Sequence, residues 1–408
     1  MATMSFSPFV QFFKKPIFSN YKFIFGIYIL ATLITSIQNT FFQDGNNYKI
    51  FYYSLQHLQD GINMHMAHPE KYFDHYHYAP SFAVLFAPFF LLPIDAGEFL
   101  WPFFFGVVWV LAIYKMPLSK PQKVFAYWFG LQEYLTATSN TQTNPLIAAI
   151  PLFAFICFER KQPFWAAFFI LLGFNVKIYS IVAAALFIVY PKKITFLLSG
   201  LFWAVVLGLL PLLVTTPSRL VWQYQNWVTQ LMVKTDHDKI YNISIHRLLH
   251  QNISPDISTM AIIGTGVILF CTVYIYRKAF VLDTYKLMLL ASILIFQVIF
   301  QPAAESPTYI IAVTGVIIYW ISCPRRLTDI VLIVGCYILT VMSPTEFMPR
   351  YVKQHYIFPY VLKALPVVLI WFRILYLVHR LGIQTLSSNW SKDDIEKNKV
   401  LDYKTVNS

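Results

Sequence analysis

The chain has 408 residues, of which 57% are hydrophobic and only 12% are charged, and its mean hydropathy is +0.56. An average soluble domain has about 25% charged and about 45–50% apolar residues. The high apolar content and the low charged content together exclude a soluble globular protein, a disordered chain and a secreted disulfide scaffold. Roughly a dozen apolar stretches follow one another, and several reach the ~20 residues that cross the hydrocarbon core of a bilayer. The composition predicts a polytopic membrane protein.

The net charge of +12 comes from 31 Lys and Arg residues against 19 Asp and Glu residues. Basic residues cluster at the ends of apolar stretches, as at Lys192 and Lys193 or at Arg325 and Arg326. Short loops rich in Lys and Arg stay in the cytoplasm, so the charge indicates topology rather than a nucleic-acid partner. The four cysteines lie in or at the ends of apolar stretches, which favours membrane packing over disulfides or zinc.

The candidate spans are all predicted to be helices, because an open sheet edge cannot be satisfied in lipid. In chain order they cover 21–38, 80–93, 96–114, 122–137, 144–158, 163–190, 194–214, 257–276, 286–301, 307–322, 328–343 and 357–378. The stretch 163–190 fits either one long helix or two half-helices that meet at Lys177. The predicted fold is therefore all-α, a polytopic transmembrane bundle of about 11–13 spans.

The basic clusters place both termini on the cytoplasmic side. We expect one integral membrane domain over 1–380, followed by a polar cytoplasmic tail over 381–408. Two larger loops, 39–79 and 215–256, then face outward, and they hold eight of the ten histidines. A count of twelve spans leaves one conflict, because it places Lys115 and its basic neighbours outside, against the charge rule.

Each outer loop is expected to contain an amphipathic helix. In the first, Tyr48, Phe51, Tyr52 and Leu55 form an i, i+3, i+4, i+7 stripe, which predicts a helix on the membrane surface that ends near Gly61. In the second, a Trp-rich amphipathic segment precedes a polar cluster.

Asp44 lies a few residues after the first predicted span, close to the outer membrane surface. A carboxylate there can take a proton from a sugar hydroxyl while facing a lipid-linked donor, as a general base must. The alternative is a solvated loop acid or a helix N-cap.

Lys177 and Glu305 are ionisable residues within or at the end of apolar stretches, where such residues are costly and usually functional. Lys177 is a candidate to neutralise a lipid phosphate, and its alternative is a lysine whose ammonium snorkels to the interface. Glu305 lies between two prolines and is a candidate to bind sugar hydroxyls. Its alternative is an interfacial loop acid.

Two polar clusters complete the candidates. Gln142 and Asn144 open a predicted span, where amides often only cap the helix. Asn242, Ser244, His246 and Arg247 lie in the second outer loop and either contact substrate or anchor the loop. A zinc site is the alternative for His65, His68, His75, His77 and Asp74, but their spacing matches no structural zinc pattern, and the sequence predicts no metal.

Taken in order, these features resemble glycosyltransferase family 87, the polyprenyl-phosphate-mannose-dependent mannosyltransferases and related enzymes of the glycosyltransferase C superfamily. The resemblance covers most of the region 40–320. The matching positions are Asp44, Tyr48, Tyr52 and Gly61, then Tyr78 and Pro80, then Gln142 to Leu146, then Arg160, Lys161 and Lys177, and finally Asn242 and Ser244. There are two departures: Thr141 replaces a glycine, and Glu305 lies where many relatives have a tryptophan and histidines.

The resemblance implies an inverting transfer of mannose or another sugar from a polyprenyl-phosphate donor to a lipid or glycan hydroxyl, on the outer face of a bacterial cytoplasmic membrane. The resemblance implies that Asp44 is the catalytic base and that the reaction needs no cofactor, nucleotide or metal. Lys177 or Arg247 would stabilise the leaving phosphate. The remaining substrate-binding candidates are Tyr48, Tyr78, Gln142, Asn144, Asn242, Ser244 and Glu305.

Two other functions stay open at this point. A flippase or transporter of lipid-linked sugars would share the polytopic build, but it would carry acidic residues near mid-membrane between broken helices. A structural subunit of an envelope complex would make the polar groups of the two outer loops incidental.

Overall fold

The structure is a computed structural model that describes residues 15–43, 45–237 and 242–387. Within these ranges every regular element is a helix and no strand is present. Asp44 and the tail from residue 388 onward lie outside the described residues.

The helices are α1 (Pro16–Ser19, a 3₁₀ turn), α2 (Tyr21–Phe42), α3 (Asn46–Asp60), α4 (Pro80–Leu85), α5 (Ala87–Phe90), α6 (Ile94–Lys115), α7 (Lys120–Ser139), α8 (Asn144–Glu159), α9 (Pro163–Val176), α10 (Lys193–Leu209), α11 (Pro217–His237), α12 (Ile245–Asn252), α13 (Thr259–Thr272), α14 (Asp283–Ile299), α15 (Tyr309–Ser322), α16 (Leu327–Cys336), α17 (Arg350–Val352) and α18 (Leu365–Ser387). A 3₁₀ helix (Ile178–Val189) follows α9, and a π-helical turn (Tyr337–Val341) extends α16.

Within the part of the chain that the structure describes, four helices are long and apolar enough to cross a membrane, namely Tyr21–Phe42, Ile94–Lys115, Lys193–Leu213 and Leu365–Leu386. Shorter apolar helices of 10–17 residues pack among them. In lipid a helix satisfies its own backbone polar groups, so apolar runs of this length fold as helices. The all-α polytopic bundle that the sequence predicts is confirmed.

Contacts between helix ends establish which ends lie together. The start of α2 meets the turn between α6 and α7, because the Lys120 ammonium lies 5.7 Å from the ring centroid of Tyr21. The start of α7 meets the end of α15, because the rings of Phe125 and Trp320 are 6.2 Å apart. The turns at this end of the bundle carry Lys115, Lys120, Lys123, Arg160, Lys161, Lys192, Arg325 and Arg326. We call it the basic end.

The predicted span at 80–93 is wrong. The chain forms two short helices there, α4 of six residues and α5 of four residues, each opened by a proline in its first turn. Neither approaches the ~20 residues of a full crossing. Because this stretch does not cross, α6 runs toward the basic end and carries Lys115 there. The position of Lys115 then agrees with the rule that short loops rich in Lys and Arg stay in the cytoplasm.

The stretch 163–190 forms two segments that meet at Lys177. Helix α9 ends at Val176, Lys177 has an extended backbone (φ −143°, ψ 114°), and the 3₁₀ helix then runs back. At the far end, Tyr190 donates a hydrogen bond of 2.5 Å to Glu159, and Lys286 donates one of 2.9 Å to the same carboxylate. Lys177 is therefore the tip of a hairpin whose base lies at the basic end.

The centre of the bundle is α14 packed against α15. Every residue from Met288 to Ile299 is buried, and so is most of α15. Gly315 permits this close approach, since a Cβ at position 315 would lie only 2.8 Å from the carbonyl oxygen of Ala291.

The predicted amphipathic helix of the first outer loop is confirmed as α3, and Gly61 follows its last residue with a left-handed backbone. Its stripe does not face lipid, however. Tyr48, Phe51 and Leu55 are buried, and the Phe51 ring lies 5.1 Å from the Trp101 ring of α6. The stripe packs onto α4, α5 and α6, and it fixes the loop to the bundle.

One buried ion pair crosses the bundle and has no local sequence signal. Lys363 donates hydrogen bonds to Glu133 of α7 (3.0 Å) and to Ser306 (2.8 Å), and its ammonium lies 4.9 Å from the Tyr309 ring centroid. Both charged side chains are buried, Glu133 completely. The pair ties α7 and the segment before α18 to the loop that precedes α15.

Lys363→Met should destabilise the protein by about 3–5 kcal/mol, because it leaves a buried carboxylate without its partner. The double variant Lys363→Met with Glu133→Gln should recover most of that loss. Glu346→Gln provides the matched control, since Glu346 pairs with Lys353 at 3.5 Å but is 83% exposed. Thermal unfolding in detergent measures all three, and equal losses in the single and double variants would contradict the coupling.

Candidate active site

A cavity of about 410 Å³ opens at the end of the bundle opposite the basic end. Its polar wall includes Asn47, His77, Gln142, Lys177 and Glu305. Its apolar wall is formed by Ile178, Val182, Ile263, Phe296 and Phe300. A cation at one side and a continuous apolar surface at the other suit an amphiphile with an anionic head group.

Lys177 is held in place by the start of α8. Its ammonium donates a hydrogen bond of 2.7 Å to Asn144 Oδ1 and a longer one of 3.4 Å to Gln142 Oε1. Asn144 is completely buried, and it also donates to Gln142 at 3.5 Å. Lys177 and the amide pair of Gln142 and Asn144 are separate candidates in the sequence. In the structure they form one cluster, in which two amide oxygens orient one ammonium.

Glu305 lines the cavity from the loop before α15. It precedes a short 3₁₀ turn, its backbone N–H donates to Thr308 Oγ1 at 3.4 Å, and its side chain is exposed. The neighbouring Ser306 is the residue held by Lys363. The buried ion pair thus fixes the loop that carries Glu305.

Tyr78 lines the cavity next to this loop. Burial raises the pKa of its hydroxyl above the usual value, and the Glu305 carboxylate raises it further. The Tyr78 side chain therefore stays protonated and can donate a hydrogen bond to a bound oxygen.

The second outer loop lines the cavity only through Leu231 of α11 among the described residues, and its polar cluster supports the cavity from outside. The backbone N–H of Ile243 donates to Ala304 at 2.6 Å, and the buried His246 ring contacts the Phe300 carbonyl at 3.2 Å. Asn242 and Ser244 flank Ile243 and are both buried. These contacts hold the Glu305 loop from outside. Arg247 is half-buried on α12 and is not among the cavity-lining residues.

Tyr48 also lies outside the cavity wall. It is completely buried, and its hydroxyl donates to the Phe89 carbonyl at 3.0 Å, so it packs the base of α3. The neighbouring Asn47, which the stripe analysis passes over, faces the cavity and donates to the Asn140 carbonyl at 2.8 Å. Asn47 lies next to the apolar stripe of α3, on a helix whose apolar face is buried. A polar residue beside a buried stripe is the sequence signal that could have identified it as a site residue.

The predicted base, Asp44, lies outside the described residues, but its chain neighbours do not. Gln43 and Gly45 line a second pocket of about 340 Å³. Asn47 and Asn140 line both this pocket and the cavity. The chain on either side of position 44 is therefore next to the junction of the two spaces.

The histidine-rich segment of the first loop contributes His75 and His77 to the cavity wall, and His77 Nε2 lies 3.8 Å from Asp74 Oδ1. Across residues 15–43, 45–237 and 242–387, no group of three or more His, Cys, Asp or Glu side chains could hold a metal ion.

Two other histidines of this loop are buried. His57 and His65 are 1% and 2% exposed. The pKa of each is lowered to about 4, mainly by burial, and for His57 the neighbouring His68 and Lys71 contribute to that lowering. His65 Nδ1 contacts the Tyr76 carbonyl at 2.9 Å, which partly opposes the effect of burial.

These two histidines predict acid sensitivity. Above pH ~6.5 both rings are neutral in the folded and the unfolded chain, and between pH ~6.5 and ~4 only the unfolded chain takes up the protons. The free energy of unfolding should therefore fall as pH falls through this window. The unfolding temperature of the wild type should drop more steeply from pH 7 to pH 5 than that of His57→Gln or His65→Gln. Equal slopes in all three would contradict the buried neutral state.

The sequence model of glycosyltransferase family 87 matches residues 76–302 of this chain, more than half of its 408 residues. The matched region contains Tyr78, Gln142, Asn144 and Lys177 and extends into the loop that leads to Glu305. Neither a curated protein nor a solved structure matches the chain significantly.

Proposed function

The chain belongs to glycosyltransferase family 87, and we propose that it transfers a sugar, mannose or another hexose or pentose, from a polyprenyl-phosphate donor to a hydroxyl of a lipid or glycan acceptor. The observation that carries the proposal is the Lys177 ammonium, oriented by two amide oxygens beside an apolar wall. An ionisable side chain kept at membrane depth is costly and is usually functional.

The donor binds with its phosphate at Lys177 and its isoprenoid tail along the apolar wall. Ile178 follows Lys177 directly and Val182 lies further along the same 3₁₀ helix, so the head-group contact and the start of the tail contact come from one segment. Gln142 and Asn144 orient the ammonium rather than bind the sugar directly. Glu305 and Tyr78, on the neighbouring wall, are the residues that contact sugar hydroxyls.

The transfer is an inverting displacement at the sugar C1. The acceptor hydroxyl loses its proton to Asp44, its oxygen forms the new bond to C1, and the bond from C1 to the phosphate oxygen breaks. Polyprenyl phosphate leaves with an additional negative charge, which the Lys177 ammonium stabilises. A fixed cation at the position where charge develops lowers the barrier because it needs no reorganisation during the reaction.

The transporter alternative receives less support. The opposite charges inside the bundle include Glu133 with Lys363 and Asp329 with Arg373. Each of these charges is paired, and none of the four lines the cavity. A transport path needs its ionisable groups in the path. The residues that line the cavity are instead arranged around one compartment at one end of the bundle.

The orientation follows from charge. The basic end collects the short Lys- and Arg-rich turns, and these stay in the cytoplasm. The cavity then opens on the outer face, which in a bacterium is the periplasmic side of the cytoplasmic membrane. A donor that carries its sugar on a lipid is suited to that side, where nucleotide sugars are absent.

The direct test is incubation of the purified protein with radiolabelled polyprenyl-phosphate sugars and a membrane lipid extract. Asp44→Asn should bind donor but lower turnover by ~10²–10⁴-fold, because the nearly isosteric amide cannot accept the acceptor proton. Glu305→Gln should have the milder effect, mainly on KM. Full activity of Asp44→Asn together with loss of activity in Glu305→Gln would reverse the two roles.

Lys177→Met keeps the length of the side chain but removes its charge. The donor KM should rise by about 10- to 100-fold, which corresponds to the loss of a charge-assisted hydrogen bond. Lys192→Met, at the basic end, is the matched control and should leave the donor KM unchanged. If Lys177→Met also leaves it unchanged, the ammonium does not bind the phosphate.

A further inference from the structure

The second pocket, beside Gln43 and Gly45, differs in chemistry from the cavity. It is lined by eight residues from two segments, 39–47 and 139–141. Apart from the one glycine, each of these described residues has an amide or a hydroxyl side chain, and none of them is charged or apolar. Neutral amides and hydroxyls both donate and accept hydrogen bonds, which is the pairing that sugar hydroxyls require.

Asn39 supplies an acceptor that the protein does not use. Its side chain is 1% exposed, and its Nδ2 donates to the Thr138 carbonyl at 3.0 Å and to Thr141 Oγ1 at 3.1 Å. Both bonds fix the direction of the amide. Its Oδ1 is buried and has no hydrogen-bond partner among the residues that the structure describes. Buried polar atoms nearly always have partners, so this oxygen indicates a ligand with a hydroxyl donor.

Thr141 adopts a backbone conformation that favours glycine. Its φ is +53°, and a side chain in this left-handed region costs about 1–2 kcal/mol. The hydroxyl kept there accepts the bond from Asn39 and lines the pocket. Strain of this kind persists where the surrounding structure requires the side chain, and such positions cluster at ligand sites.

The pocket and the cavity share a wall. Asn140 lines both spaces, and Gln142, two residues later, faces the cavity and accepts from Lys177. Asn47 lines both spaces from the opposite side. A molecule in the pocket therefore lies across one short turn from the donor phosphate, next to both chain neighbours of Asp44.

The charge around the pocket disfavours anions. The carboxylate of Glu98, which is 6% exposed, occupies the space that a Cβ at position 45 would take, and the left-handed φ of +59° at Gly45 also requires glycine. The described residues that line the pocket include no Lys, Arg or His. A phosphate or a uronate would therefore find no cationic partner among them.

We infer that this pocket is the acceptor subsite, and that it takes a neutral, hydroxyl-rich glycosyl group in preference to a phosphorylated or carboxylated one. The inference rests on the proposed function, because it assigns the second substrate of the same transfer. Asn39 and Thr141 bind the acceptor sugar, and the cavity on the other side of the Asn140 turn binds the donor.

The first experiment separates a membrane lipid extract of the producing organism into neutral and anionic fractions by anion exchange. Each fraction is then incubated with the purified protein and radiolabelled polyprenyl-phosphate sugar. We expect the label to enter the neutral fraction. Labelling of the anionic fraction overturns the acceptor assignment but leaves the transfer itself intact. Transfer to neither fraction overturns the proposed function, and this inference with it.

The second experiment uses Thr141→Gly, which removes the hydroxyl but relaxes the backbone at the same position. The unfolding temperature should be unchanged or higher, the donor KM unchanged, and the apparent KM for the neutral fraction about 3- to 10-fold higher, as for one lost neutral hydrogen bond. Lys192→Gly, at another left-handed position (φ +61°) far from the cavity, is the control and should leave both KM values unchanged. A change in the donor KM alone, or in neither KM, overturns the inference.

Discussion

The hydrogen bond from Lys177 to the buried Asn144 is the contact on which the rest of the site depends. An ammonium at the end of an apolar hairpin needs fixed oxygen partners, and these come from Asn144, the first residue of α8, and from Gln142 in the turn before it. That requirement sets where α9 ends and how the turn between α7 and α8 is placed. The same turn then separates the cavity from the amide-lined pocket. One half-buried cation therefore connects α8, α9 and the turn that separates the two binding spaces.

The sequence predicts the helices well because the bilayer constrains them strongly. An apolar run of sufficient length folds as a helix whatever its neighbours are, and period-3.6 patterning locates α3 and its end at Gly61. The stretch 80–93 is predicted wrongly because composition cannot distinguish a crossing from a short hairpin packed on aromatic rings. The stretch 163–190 is apolar on both sides of Lys177, so no local signal distinguishes one long helix from two. The end of helix α9 at this point depends on tertiary contacts.

The site residues also fall into two groups, those that the local sequence identifies and those that only tertiary contacts identify. Lys177, Gln142 and Glu305 stand out in the sequence because polar side chains are rare within or beside apolar runs, and all three line the cavity. Tyr48 matches the family pattern, yet its side chain packs under α3, because periodicity identifies a face but not the neighbour of that face. The strain at Thr141 explains why a glycine suits that position, although only the backbone geometry reveals it. Glu133 and Lys363 lie 230 residues apart, and no local pattern connects them.

That separation matters for the biogenesis of the protein. Glu133 is inserted with α7, whereas Lys363 is made 230 residues later. At about 5–20 residues per second, the carboxyl group waits roughly 10–50 s inside the membrane before its partner is synthesised. During that interval the nascent bundle contains a helix whose carboxyl group still lacks its partner, and an unpaired buried charge is strongly destabilising. Synthesis of the segment that carries Lys363 is therefore the step that completes the buried pair and, with it, the stable bundle.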